Sequence, residues 1–440
     1  MGIKLIIVGV LALVMTVPAI FVGALIDDRT SRAARVTQEI SSRSGGRQTF
    51  LGPTLAIPYR KTFSGLSTDG IYLAFPAVAS ATLKTVTEER RRSLFKVPVF
   101  QADLKLDAAF DLTGVPAAAP EGAELDWDRA EIVVGVSDAR GALTDAMVSA
   151  EGKSTPLAPA ATAADLTIGQ EQRGPVRLIL FGAGIDAAKK PGARFSVTSS
   201  LRFSGAQRIA LLSYGKSTRV TAQGDWPNPG FDGGFLPVRY TTSHNGFTAE
   251  WSVPFIARGV RAEGPVRLFA GLDATELGIS FIEVADRYQS VSRSLKYILL
   301  FLGLVFISYF IFEVMTGKRV HPAQYTLVGV AQIIFYLLLL SLAERIGFDW
   351  GFLIAATATI ALLSANAGWV FLSRKHGIQA WVTFTLLYTA IYFMLRIEDN
   401  ALLVGAVAGF LAVAAAMYLT RKIDWYSTLG STETADRPSS

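Results

Sequence analysis

The chain has 440 residues, 51% of them hydrophobic and 18% charged, with a mean hydropathy of +0.37. This is too apolar for an ordinary soluble protein and too polar for a bare helical bundle, so one zone must sit in lipid and another in water. The net charge of +6 does not call for nucleic acid, because Lys4, Lys318, Arg319, Arg374, Lys375, Arg421 and Lys422 all flank apolar runs and read as a topology signal.

The first element is the apolar run 5–26, behind Lys4. A signal peptide is one reading, since Val22 and Ala24 form a permissible cleavage pattern, but about 22 apolar residues exceed the 7 to 15 of a signal core. We read an uncleaved anchor; either way the N-terminus is inside and the following segment outside. Ala33, Val36 and Ile40 then recur at helical spacing among Arg32, Arg35, Gln38 and Glu39. That predicts a helix continuing out of the bilayer, against the alternative of a structureless linker.

After Gly45 and Gly46 the period changes from helical to alternating. Leu104, Leu106, Ala108 and Phe110 alternate with polar or small residues, as do Phe247, Ala249, Trp251, Val253 and Phe255 with Thr248, Glu250, Ser252 and Pro254. Further strands are expected at 54–59, 71–75, 131–136, 176–181, 195–203, 219–223 and 278–284. Turn signals stand at 137–141, at Asn228-Pro229-Gly230 and at His244-Asn245-Gly246. The expectation is an antiparallel β-rich domain, with the Trp251 strand ending at an edge or bulge at Pro254. The stretches 115–121 and 154–164 read as surface loops, with a subdomain boundary near the second. Glu88-Glu89-Arg90-Arg91-Arg92 reads as a solvated connection between strands, the rival being an anionic-lipid or lipopolysaccharide contact.

Five apolar runs close the chain, at 297–314, 325–343, 350–372, 380–395 and 401–419. Each is long enough, at 1.5 Å per residue, to span or nearly span a core of roughly 30 Å. Basic pairs follow the first, third and fifth, while the breaks at 344–349 and 396–399 are acidic or balanced, so both termini are expected in the cytoplasm. The fold class is therefore a six-span α + β membrane protein, one helix N-terminal and five C-terminal. Its expected parts are the first helix at 1–26, a periplasmic β-rich domain at 27–293, the bundle at 294–426 and a disordered cytoplasmic tail at 427–440.

Chemistry is sparse in this sequence. There is no cysteine for disulfides, iron–sulfur ligation or thiol catalysis, and His244, His321 and His376 are too far apart for a paired metal site. The glycine-rich 230–235 reads as a tight loop and His244 as a turn residue. Trp226 either offers a platform to a glycan or packs beneath a proline-bounded loop. Within the spans, acids occur only near ends, at Glu313, Glu344, Glu398 and Asp399, unlike the mid-membrane groups of ion carriers. Glu313 lies in the last turn of its helix, where the macrodipole is negative, so it either takes a cation from Lys318 or Arg319 or snorkels to water. Pro322 suits the first turn of the next helix. Gln332, Ser341 and Asn366 are set to hydrogen-bond between helices.

The run HPAQYTLVGVAQIIFYLLLLSLAERIGF, from His321 to Phe348, resembles the signature of the CreD family of inner-membrane proteins, also called the cell envelope integrity or colicin-tolerance family. So do SLKYILLFLGLVFISYFIFE before it, LRIEDNALLVGAVAGF and TRKIDWY after it, and QTFLGPTLAIPY, DWPNPGFDGGFLP and GFTAEWSV in the outer domain. The resemblance implies a Gram-negative inner membrane, a periplasmic β-rich domain, control by a sensor kinase and response regulator, and links to β-lactam response and colicin tolerance. It carries over no catalytic residue and no cofactor. His321, Pro322, Gln324, Tyr325, Trp425 and Tyr426 from these runs join Glu313, Glu344, Glu398, Asp399 and Trp226 as candidate structural or functional positions. The expected function is a non-enzymatic scaffold or regulator of envelope integrity whose partners are the bilayer and envelope proteins or lipids. A lipid or small-molecule transporter and a periplasmic glycan- or lipid-modifying enzyme are the alternatives.

Overall fold

The computed structural model describes residues 2–63, 66–92, 95–163, 165–169, 175–281, 291, 298–316, 320–396 and scattered positions between 406 and 421. It divides into two compact units, Met1–Ala33 with Ala285–Ser440, and Ala34–Val284. Helices Gly2–Val14 (α1) and Thr16–Arg43 (α2) are joined at Met15, whose N–H donates to Leu11 O at 3.0 Å, so the helix continues as expected and the linker reading falls. It stops where Gly45 and Gly46 take φ of +87° and +63°. A side chain at Gly45 would meet the Cα of Gly141 at 2.6 Å. Gln48 Nε2 donates to Gly45 O (2.7 Å) and Asp138 O (3.0 Å), fixing the entry into the first strand.

The second unit is built from Gln48–Phe63 (β1), Leu66–Ala74 (β2), Val78–Arg92 (β3), Phe95–Asp111 (β4), Ala123–Leu125 (β5), Glu131–Val136 (β6), Met147–Ala150 (β7), Lys153–Pro156 (β8), Ala158–Pro159 (β9), Asp165–Ile168 (β10), Val176–Ala183 (β11), Arg194–Ala206 (β12), Arg208–Leu212 (β13), Ser217–Gly224 (β14), Pro229–Gly233 (β15), Arg239–Ser243 (β16), Gly246–Val253 (β17), Glu263–Pro265 (β18) and Glu276–Phe281 (β19). Short helices Val115–Ala118 (α3) and Phe255–Arg258 (α4) interrupt them. One sheet runs β10-β11-β6-β1-β13-β19-β15, with β2, β5, β9 and β18 added beside it; the other runs β16-β17-β14-β3-β4-β12-β7-β8. Their inner faces meet through Phe50 on Phe203 (5.2 Å), Phe100 on Phe281 (5.0 Å) and Phe231 on Trp251 (5.7 Å), so this is a sandwich with one apolar core.

Most pairings are antiparallel, as expected, while β1 with β13 and β3 with β14 are parallel. The reason is topological: the chain leaves one sheet at β12, crosses to the other at β13 and returns at β14, and strands not joined by a hairpin are free to pair either way. Tyr214 sits in that return, fully buried. Its hydroxyl donates to Ser80 O (2.6 Å) and Asp107 O (3.0 Å) in one sheet. Its ring lies over Gly52 of the other, where a Cβ would be 2.5 Å from the ring.

Several expectations are corrected locally. Pro229 and Gly230 begin an edge strand, β15, instead of a turn, and 230–233 of the glycine-rich stretch belong to it; proline is tolerated at an edge because no ladder donor is needed there. Strand β17 is interior, paired with both β14 and β16, so Pro254 marks neither edge nor bulge but caps α4, and Phe255 is 51% exposed instead of joining the buried set. The second predicted loop pairs as β8 and β9, and the core continues through it without a subdomain boundary. The first opens with α3, whose Val115 is buried. Glu88–Arg92 is the end of β3, not a connection: Arg90 pairs with Glu88, Arg91 and Lys96 with Glu89, and Arg92 with Glu39. His244-Asn245 is the expected two-residue hairpin turn.

In the first unit, Ile298–Thr316 (α5), Pro322–Ile346 (α6), Phe348–Val370 (α7) and Arg374–Arg396 (α8) match four of the five C-terminal runs; most of the fifth, and all of 427–440, lie outside the described residues. Among the described residues, three helical stretches are long and apolar enough to cross a membrane: Ile6–Arg43, Pro322–Ile346 and Phe348–Val370.

Expressed as 34–284, the β unit is expected to give a β-type circular dichroism spectrum. Trp251, 2% exposed, should cost about 3–5 kcal/mol on replacement by alanine, read by denaturant unfolding. A pH effect follows from Asp232, which pairs with Arg208 (2.7 Å) and accepts from Ser280. Burial raises its carboxyl, but the bonds from Arg208 and Ser280 outweigh this and hold it below its ordinary 3.8. The stability it contributes is full above 3.8 and is lost as pH falls through the lower, folded value. Asp232→Asn should flatten that acid limb of the unfolding curve.

Candidate functional site

The turn between α5 and α6 gathers five of the positions singled out in the sequence. Glu313 is 3% exposed; its Oε1 accepts the Val320 N–H at 3.1 Å and its Oε2 the Tyr325 hydroxyl at 2.8 Å. Burial this deep overturns the snorkelling reading, since the carboxylate trades water for donors supplied by the turn itself. Lys318 and Arg319, the expected cations, lie outside the described residues. His321 is the N-cap of α6, its Nδ1 accepting the Ala323 N–H at 3.2 Å, and Pro322 opens the first turn as expected. Tyr325 is placed between Phe306 and Tyr309, ring centroids 6.0 and 6.3 Å away. Gln324 Oε1 is buried with no hydrogen-bond partner among the described residues.

Deeper in the bundle, Tyr309 donates to Leu363 O (2.7 Å) and accepts from Asn366 Nδ2 (3.2 Å), tying α5 to α7. Tyr388 donates to Gln332 Oε1 at 3.4 Å, tying α8 to α6. Asn366 and Gln332 thus bond between helices as expected, whereas Ser341 is exposed. Phe301, Phe335, Tyr336 and Tyr388 fill the space between with edge-to-face contacts at 4.8 to 6.3 Å. Glu344 reaches Arg29 of α2 at 3.8 Å, a partner on another helix. Glu398, Asp399, Trp425 and Tyr426 lie outside the described residues.

In the β unit, Trp226 is half-buried, edge-on to Phe281 at 6.3 Å, with Nε1 donating to Asn228 O at 3.1 Å; this is the packed reading, not the open platform. Arg258 is a position that no sequence pattern singled out. It is 2% exposed, donates to Ser213 O (3.0 Å) and Arg261 O (3.1 Å), and lies 4.2 Å from the Phe75 ring centre, and burial pulls it down to about 10. Tyr309 was also missed, because hydropathy counts a tyrosine inside a span as filler. A tyrosine one turn from a carboxylate-bearing helix end is the signal that would have found it. Among the described residues, no three His, Cys, Asp or Glu side chains are grouped as a metal site would need.

The Glu313 clamp makes a measurable claim. Tyr325→Phe deletes one donor to a buried carboxylate and should cost about 1–3 kcal/mol. Thermal unfolding of the detergent-solubilised protein should show Glu313→Gln combined with Tyr325→Phe costing less than the sum of the two single changes.

The sequence profile of a family described as inner membrane protein CreD matches residues 1–426. The inner membrane protein CreD of Escherichia coli (strain K12) is 28% identical over 435 residues, an alignment covering 94% of this chain and 91% of that protein. With its apolar helices and large β-sheet unit, the chain belongs to the CreD family of inner membrane proteins.

Proposed function

We propose that this chain is a non-enzymatic scaffold that supports the integrity of the cell envelope, with six membrane spans, both termini in the cytoplasm and the Ala34–Val284 unit in the periplasm. The observation that carries the reading is the helix itself. The helical stretch Ile6–Arg43 is apolar at its start, and its polar last turns, from Ala34 on, belong to the β unit. Gln207 Nε2 donates to Ser41 Oγ at 2.9 Å and Arg92 pairs with Glu39. A helix that is apolar at its start and whose last turns belong to the fold of the β unit is what an anchor requires. The alternating basic pairs supply the orientation. The polar side chains described above also act as ties between helices and turns, which suits a frame that positions other components.

Topology is tested by single cysteines in a chain that has none of its own. One at Ser154 should react with an impermeant maleimide from outside and one at Ser373 only from inside; the reverse pattern overturns the orientation. The scaffold reading is tested by replacing Glu313, His321, Glu344, Glu398, Asp399, Asp225 and Trp226 singly with alanine in cells lacking the wild-type protein. Survival under envelope stress should fall in step with the amount of folded protein in the membrane. A variant present at normal abundance, resistant to protease and devoid of function would mark a reaction or transport centre instead.

A further inference from the structure

A cavity of about 450 Å³ opens along the seam between α7 and α8. Its floor is Ala356, Ile360 and Tyr388, all buried, and its rim is Trp350, Leu353 and Trp381, all more than half exposed. The hollow exists because small and short residues, Ala356, Thr385 and Thr389, occupy positions where a leucine would close it. Asp349 and Tyr392 mark one end, the tyrosine hydroxyl donating to Asp349 Oδ1 at 3.0 Å. From Asp349 to Ile360 the helix rises about 17 Å, close to the roughly 15 Å of half a hydrocarbon core.

We propose that this groove holds one acyl chain of a membrane phospholipid, with the glycerol and headgroup at the Asp349–Tyr392 end. The proportions fit a single leaflet: the polar pair lies at the helix ends, where headgroups sit, and the apolar floor ends near mid-membrane. Water is a poor occupant, because the wall offers it few of the two to four polar partners it needs. The chain's own fifth apolar run is not the occupant in its described residues. Val407, Phe410, Met417 and Tyr418 are 49, 74, 69 and 62% exposed, none of them lines the groove, and a Cβ on Gly409 would lie 3.7 Å from Leu300 of α5, which does not line it either. The site goes beyond the scaffold reading and does not depend on it, since a resident lipid fits either orientation of the bundle.

The test uses the full-length protein extracted in mild detergent. Native mass spectrometry should find one phospholipid retained per chain, and phosphatidylcholine brominated on one acyl chain should quench tryptophan fluorescence saturably after delipidation. Ala356→Phe, which fills the floor, should weaken that binding about tenfold or more. Thr357→Phe, at the exposed rim and outside the packed interior, should do the same if the first variant does not fold. Leu327→Phe, on the exposed face of α6, should leave retention and quenching unchanged. Absence of a retained lipid in the wild type, non-saturable quenching, or equal retention in the filled and control variants would each overturn the proposal.

Discussion

A carboxylate that is 3% exposed at the end of an apolar helix must have its oxygens met by donors, or it would not remain there. Glu313 meets that requirement with the Val320 N–H and the Tyr325 hydroxyl. Both bonds come from the chain just beyond it, so the constraint sets the geometry of the α5–α6 turn. Tyr325 can reach Glu313 only if α6 begins near Pro322, and His321 and Pro322 begin it there. With Tyr325 fixed, Tyr309 and Phe306 pack against its ring, and Tyr309 then reaches Leu363 on α7. One buried charge therefore passes its constraint through three helices.

The two units are held by different physics. In the β unit the inner faces of two sheets exclude water from one core, and the hydrophobic effect is the main driving force. Tyr214 and Gly52 show how close the sheets come, since the ring occupies the space a single Cβ would need. In lipid that driving force is absent between helices, and association rests on packing and on a few hydrogen bonds. The ties from Tyr309, Asn366, Tyr388 and Gln332, and the pair of Arg29 with Glu344, are what that environment demands. The α7–α8 groove is the complementary case, where small residues leave space that none of the described side chains fills.

Periodicity and hydropathy in the sequence were enough to establish a first helix that runs on past its apolar start, a β-rich middle and a helical end. They also placed the hairpin at His244-Asn245 and the helix start at Pro322. These features depend on local patterns of burial and on turn chemistry, which neighbouring residues determine. The candidate positions at Glu313, His321, Tyr325 and Glu344 were visible because charged and polar residues near span ends stand out against an apolar background.

What only the tertiary structure decided were the partners. That Glu313 would be buried on Tyr325, that Glu344 would reach Arg29, and that Arg258 would lie over the Phe75 ring all depend on segments distant in sequence coming together. The parallel pairings of β1 with β13 and β3 with β14 were hidden for the same reason, because alternation records which face a residue buries but not which strand lies beside it. Pro229 and Pro254 misled in opposite senses: a proline signals only a missing donor and a fixed φ, and whether that makes an edge strand or a helix cap is settled by what the rest of the chain places next to it.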